Sequence, residues 1–262
     1  MAVVSFWRCL PFVLLAGAAW AQGMSVPAFS AMAAGAVAPP WRIAGLPGQK
    51  SPLTQFAIVA VESRPVLRVA TNASYGNLVF DARGRRPGPD TLLHWGWMLE
   101  RGLQDSDLSS KSGDDVALKV CALFDMPLDG LGLAERTKMR MARSISGEPL
   151  PAATLCYVWD RLLPVGSMVA NAFSARVRYL VVSSGPAQPG KWMSIERNLA
   201  GDFLRAFGHE ATAVPALLAL AVGADADNTG GQSLGFVGDV TLAPGGAAAV
   251  TSATSATSAA SV

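Results

Sequence analysis

The sequence predicts an all-β fold: a two-sheet antiparallel sandwich of jelly-roll type with one or two peripheral helices. Three observations carry this. Short apolar runs recur along the middle of the chain, separated by turn residues. Several of them alternate with period two. Helical patterns do not alternate regularly with the strands, which argues against an α/β fold.

The first pair of runs is "FAIVAV" and "PVLRVAT", separated by Glu62-Ser63-Arg64 in a hairpin-like gap. "LLHWGWML" follows, then "DVALKVCALF", "AATLCYVW", "RVRYLVVS", "KWMSIERN", "PALLALAV" and "LGFVGDVTL". Val116, Leu118, Val120, Ala122 and Phe124 are expected on one face of their strand. Leu234, Phe236, Val240 and Leu242 are expected together on the last, with Gly238 between them. Two helices interrupt the strands. In "NLAGDFLRAFG", Asn198 is placed to cap the start and Gly208 the end, with Leu199, Phe203 and Phe207 on one face. The other, about 131–144, puts Ala134, Met141 and Ile145 on an apolar side and Arg136, Arg140 and Arg143 on the opposite one. That stripe reads first as a solvated face. The alternative is a surface for an anionic polymer or a membrane.

Both ends differ from the middle. Residues 1–21 have the pattern of a secretory signal peptide: Arg8, an apolar stretch, and a small-residue cleavage site at Ala19-Trp20-Ala21. The apolar stretch is too short for a comfortable membrane span, so no transmembrane segment is expected after cleavage. The chain is therefore expected to be periplasmic or secreted. Residues 22–40 read as a linker, 41–243 as the sandwich domain, and 244–262 as a disordered Ala/Ser/Thr-rich tail. Cleavage leaves two cysteines, Cys121 and Cys156, which in an oxidising compartment either pair or remain buried thiols. Net charge is +2 and charged residues make up 15% of the 262, so nothing points to nucleic acid.

Candidate chemistry lies in two acidic stretches. "GADADNTGG" (223–231) places Asp225, Asp227, Thr229 and Gly230 like the opening of an EF-hand loop, but Phe236 stands where the closing glutamate belongs. It is therefore no EF-hand. A sandwich loop could still hold Ca2+ with scattered oxygens, Asp239 among them. The plainer reading is a turn capped by its own side chains, with no cofactor. "SKSGDDVALKV" supplies Lys111, Asp114 and Asp115. Neighbouring strand residues point to opposite faces, so Asp114 and Asp115 form no pair by themselves. One of them could meet the 225–227 loop across the sandwich as a general acid–base pair. Otherwise these carboxylates salt-bridge to Lys111 or to an arginine such as Arg176, Arg178 or Arg197. Trp95 and Trp97, and Tyr157 and Trp159, are spaced to share a face. That face is expected to be core, with sugar stacking on an outer face as the alternative. The two histidines, His94 and His209, sit in no hydrolase, metalloprotease or phosphate-loop motif.

Taken together, "SKSGDDVALKV", "LPAATLCYVWD", "LPVGSMVANAFSARVRYLVVSSG", "RNLAGDFLRAFG" and "GADADNTGGQSLGFVGDVTL" resemble the bacterial DUF 3047 family of unknown function. Its K-x-G-D-D motif falls on Lys111, Gly113, Asp114 and Asp115. Its Y-V-W and P-V-G motifs fall on Tyr157–Trp159 and Pro164–Gly166. Its D-x-D-N-T-G motif falls on Asp225, Asp227, Asn228, Thr229 and Gly230, and Arg176, Trp192, Arg197 and Asp202 match as well. The resemblance implies an exported protein with a sandwich similar to carbohydrate-binding jelly rolls. The expected function is non-catalytic binding of a glycan or other polar cell-envelope ligand by Lys111, Asp114, Asp115, Arg176, Arg197, Asp225, Asp227 and Asn228. A carboxylate-dependent glycan hydrolase or lyase, and a structural envelope domain, are the alternatives.

Overall fold

The computed structural model describes residues 25–146 and 150–244. The segment expected to be a signal peptide and nearly all of the Ala/Ser/Thr tail lie outside them. The strands are β1 (Arg42–Ala44), β2 (Gln55–Val61), β3 (Arg64–Asn72), β4 (Tyr75–Asp81), β5 (Leu92–Arg101), β6 (Lys119–Phe124), β7 (Ala153–Asp160), β8 (Met168–Ala170), β9 (Val177–Ser184), β10 (Met193–Asn198), β11 (Leu217–Asp225), β12 (Gln232–Val237) and β13 (Thr241–Ala243). Helix α1 spans Leu133–Ser146 and α2 spans Leu199–Phe207. One sheet runs β1-β4-β11-β6-β7-β9-β8 and the other β10-β5-β12-β3-β2, with β13 beside β5. This is a two-sheet sandwich of jelly-roll type. Its pairs are antiparallel except β7 with β9, which are parallel. The chain leaves β7, makes the short edge strand β8, and returns so that β9 fits between them.

The hairpin between β2 and β3 turns on two residues, Glu62 and Ser63, both at positive φ (50° and 65°). Such a turn matches the twist of the strands it joins. Between the sheets lies an aromatic core. Trp95 and Trp97 of β5 face Tyr157 and Trp159 of β7, with ring centroids 5.3 Å apart for Trp95–Tyr157 and 6.2 Å for Trp97–Trp159. All four are buried, so none is available to stack on a sugar. Asn198 caps α2 by accepting from the Gly201 N–H at 2.7 Å. Leu199, Phe203 and Phe207 then turn inward, and Phe203 packs 4.6 Å from Phe124.

Several elements depart from the expectation. Residues 25–40 are no linker: Val26 and Phe29 are buried in the core, and Phe29 lies 4.9 Å from the Trp41 ring. Gly35 and Ile58 exchange both backbone hydrogen bonds. Strand β6 begins at Lys119, because Lys111–Gly113 form a short 3-10 helix and residues 114–118 are irregular, so Val116 packs on the opposite face from Leu118, Val120, Ala122 and Phe124. On β12 the inward positions are Ser233, Gly235 and Val237, and Leu234 and Phe236 face out. The cause is Leu118, just before β6, which presses so close that a Cβ on Gly235 would lie 2.9 Å from its Cδ2. Helix α1 buries Met139 instead of Met141, which is exposed. Arg136 folds back onto the Asp129 and Leu131 carbonyls, and Arg143 onto the Leu150 carbonyl, so the expected basic stripe is broken up.

Candidate functional site on the outer face of the seven-stranded sheet

Alternation along the seven-stranded sheet sends one set of side chains away from the core. Near its middle these are Tyr75 and Asn77 of β4, Gly223 and Asp225 of β11, Lys119 and Cys121 of β6, Cys156 of β7, and Tyr179 of β9. Cys121 and Cys156 stand opposite each other in register and are joined as a disulfide. Leu108 and Val116, from the segment between β5 and β6, pack against them.

The two acidic stretches meet here. Asp115 is buried, and its carboxylate accepts from the Asn228 N–H (3.1 Å), the Asn228 amide (3.1 Å), the Thr229 N–H (2.7 Å) and the Thr229 hydroxyl (2.6 Å). It holds the 225–230 loop in place. Asp225 accepts from the Val116 N–H at 2.8 Å and pairs with Lys119 Nζ at 3.0 Å, and both side chains of that pair are buried. Lys119 also lies 5.0 Å from the centre of the Tyr75 ring. Burial works against the lysine charge, but Asp225 and Tyr75 outweigh it and raise its pKa. Burial pushes the Asp225 carboxyl up, with Lys119 pulling the other way.

Asp114 is the unusual member. It is 2% exposed, and burial, then the Asp225 charge, push its pKa from 3.8 to about 6. One oxygen, Oδ2, accepts from the Asn171 amide, which also donates to the Tyr179 hydroxyl at 2.9 Å. The other, Oδ1, is buried without a hydrogen-bond partner. Asn171, beside this carboxyl, is half-buried, as are Tyr75 and Asn77 on the same sheet face, and Phe173 is exposed beneath Lys111, whose Nζ lies 5.5 Å from the ring centre. Two glycines make the arrangement fit. A Cβ on Gly223 would lie 2.3 Å from Asn77 Oδ1, and one on Gly113 would lie 2.8 Å from the Asp107 nitrogen.

Of the expected site residues, Asp114, Asp115, Asp225 and Asn228 are brought together. Lys111 stands at the edge. Asp227 is half-buried and reached by the Ser51 hydroxyl at 3.4 Å. The two arginines are elsewhere. Arg176 pairs with Glu210, which also takes Arg178, and lies 3.9 Å from Glu135. Arg197 grips Asp202 at 2.8 and 2.6 Å, and Asp202 also accepts from Tyr157. Arg197 lines a cleft of about 200 Å³ with Glu196, Arg205 and Val165, none of them in the acidic cluster. Asp239 is occupied by Ser30, which donates to it through both its N–H and its hydroxyl. Among the described residues no three His, Cys, Asp or Glu side chains gather as metal ligands, and the cation beside Asp225 is Lys119.

Sequence reasoning missed Tyr75, Asn77, Lys119, Asn171, Phe173 and Tyr179. Lys119 carried a usable signal: a lysine inside the apolar run "VALKVCALF" needs a buried partner.

Comparison with known proteins adds the family and little else. Residues 39–241 match the family described as "Protein of unknown function (DUF3047)". No curated protein matches the chain. Among solved structures, the cellulose-induced protein Cip1 is 12% identical, with 78% of this chain and 91% of that one covered and a TM-score of 0.37. The family GH12 endoglucanase 3 of Trichoderma harzianum is 10% identical, with 79% and 99% covered and a TM-score of 0.38. The K3 adhesin domain of Lys-gingipain from Porphyromonas gingivalis w83 is 10% identical, with 79% and 93% covered and a TM-score of 0.32.

Proposed function

Since the chain belongs to the DUF3047 family, whose function is unknown, we propose a role from its own residues: an exported, non-catalytic domain that binds a glycan or other polar cell-envelope ligand on the outer face of the seven-stranded sheet. The observation that carries this is Asp114, a buried carboxyl with one oxygen uncommitted. The half-buried Asn171 amide bonds its other oxygen, and the exposed Phe173 ring lies two residues further along the same segment. Leaving such an oxygen unpaired costs about 1–3 kcal/mol, a cost that a ligand hydrogen bond would offset. Amides, a carboxyl and an aromatic face are the groups that recognise hydroxylated rings. Export is supported by the signal-peptide pattern and by the Cys121–Cys156 disulfide, which suits an oxidising compartment.

Glycan-array and envelope pull-down experiments with the mature chain test the reading. Wild type is expected to retain a ligand that Asp114→Ala and Asn171→Ala lose while keeping their fold. Equal retention by wild type and variants would remove this face as the site.

One observation favours a hydrolase or lyase as the second reading. Asp114 holds its proton up to about 6, as a general acid does. The carboxylate whose charge acts on it, Asp225, is committed to Lys119 and the Val116 N–H and so is not free to serve as the second catalytic group. Release of reducing sugar from a retained glycan, abolished in Asp114→Ala, would restore catalysis.

A further inference from the structure

The orientation of Asn171 decides which atom of Asp114 carries a proton. Asn171 Oδ1 accepts from the Phe173 and Ser174 N–H groups at 3.0 and 2.9 Å, so its amide nitrogen must face Asp114 and Tyr179. Asp114 Oδ2 is therefore an acceptor, and a proton on this carboxyl sits on Oδ1, the oxygen with no partner. The surroundings favour that proton. Lys119 of β6 is engaged with Asp225 of β11, and Asp225 repels a second negative charge. Asp115 is occupied by Asn228 and Thr229. Lys111 is exposed over Phe173. The phenol of Tyr179 on β9 is held neutral, by burial first and then by the two carboxylates. Tyr75 of β4 lies against Lys119. The Lys119 charge opposes the proton first, then the Tyr179 hydroxyl and the Ala172 N–H, which face the carboxyl, but together they do so less strongly than burial and Asp225 favour it.

We propose that Asp114 serves this site as a carboxylic acid, its Oδ1–H held as a donor for a carbonyl or ether oxygen of the ligand. This rests on the binding reading above and adds the chemistry that the site selects: an acceptor oxygen, met by a neutral donor. Ligand affinity then depends on pH in one direction. It is full where Asp114 is protonated and falls as the pH rises through the titration of that carboxyl.

The test uses the mature chain and the oligosaccharides it retains on an array, at pH 5 and pH 8, with Asp114→Asn and Asp114→Leu variants checked for folding by circular dichroism. Asn keeps a neutral donor at the Oδ1 position, and Leu keeps the bulk alone. Wild type is expected to bind at least about tenfold more weakly at pH 8, Asp114→Asn to bind equally at both, and Asp114→Leu at neither. Retention by wild type that is independent of pH, or an Asn variant as defective as Leu, overturns this inference and leaves the binding reading standing. No retention by wild type at either pH overturns both. A carboxyl carbon-13 NMR titration gives a second readout, and Asp114 ionising with ordinary carboxylates would also overturn the donor role.

Discussion

Thr229 delivers both its N–H and its hydroxyl to one oxygen of Asp115, at 2.7 and 2.6 Å, across a sequence separation of 114. The two acidic stretches are therefore one structural unit. Asp115→Ala would leave the donors of Asn228 and Thr229 without an acceptor in a partly buried place. We expect a loss of about 3 kcal/mol, since the acceptor is charged and several bonds go at once. Thermal unfolding measures it. A change below about 0.5 kcal/mol would show that the loop is held by its backbone instead.

Gly223 lies on β11 two residues before Asp225, and its missing side chain matters. A Cβ there would meet Asn77 Oδ1 at 2.3 Å and the Gly76 carbonyl oxygen at 2.8 Å. Gly223→Ala is expected to cost about 1–3 kcal/mol through overpacking. Adding Asn77→Ala should recover part of that loss, because the backbone contact remains. Chemical denaturation of the three variants checks the coupling, and strict additivity would contradict the contact.

What could be read before the fold was known follows a physical boundary. Local patterns were legible: the alternation of Leu93, Trp95, Trp97 and Leu99, and the Asn198 cap of α2, depend on residues within a few positions. Strands β4 and β8 were missed because one is interrupted by Gly76 and Asn77 and the other is three residues at an edge. The buried face of β12 was misread because Leu118, just before β6 of the other sheet, presses against Gly235 and decides which face has room. The Asp225–Lys119 pair spans a separation of 106, and no local rule couples such residues. Arg176 and Arg197 were grouped with the acidic residues because both needed a carboxylate, but Glu210 and Asp202 supply it nearer by.

The Cys121–Cys156 disulfide closes a loop over a separation of 35 and lies under Leu108 and Val116, on the same face as the acidic cluster. Chain-entropy arithmetic for a loop of that length gives about 3–4 kcal/mol. The double variant Cys121→Ser, Cys156→Ser should unfold at a lower denaturant concentration, with its extrapolated unfolding free energy reduced by about that amount. Thiol titration of the unfolded, unreduced mature chain should find essentially no free thiol. Two titratable thiols would place the chain in a reducing compartment and contradict export.

The pH dependence of stability has two opposed limbs. Asp114 has a folded pKa of about 6 against an ordinary 3.8, so the native state binds the proton more tightly than the unfolded chain. Its contribution is fully present below about 4 and is lost as the pH rises to about 6. Glu210 behaves oppositely. Burial would raise its pKa, but Arg176 and Arg178 outweigh burial and hold it below 4.5, so its contribution is present above that value and lost as the pH falls. Stability of wild type should therefore decline from about pH 4.5 to about pH 6, then level off. Asp114→Asn should weaken that decline, leaving the part that the raised Asp225 carboxyl contributes, and keep the acid limb, and Glu210→Gln should weaken the acid limb alone. Unfolding free energies measured across pH 3 to 8 separate the two. A wild-type curve that rises between pH 4.5 and 6 while the Asn variant runs parallel to it would mean that Asp114 is ionised in the native state.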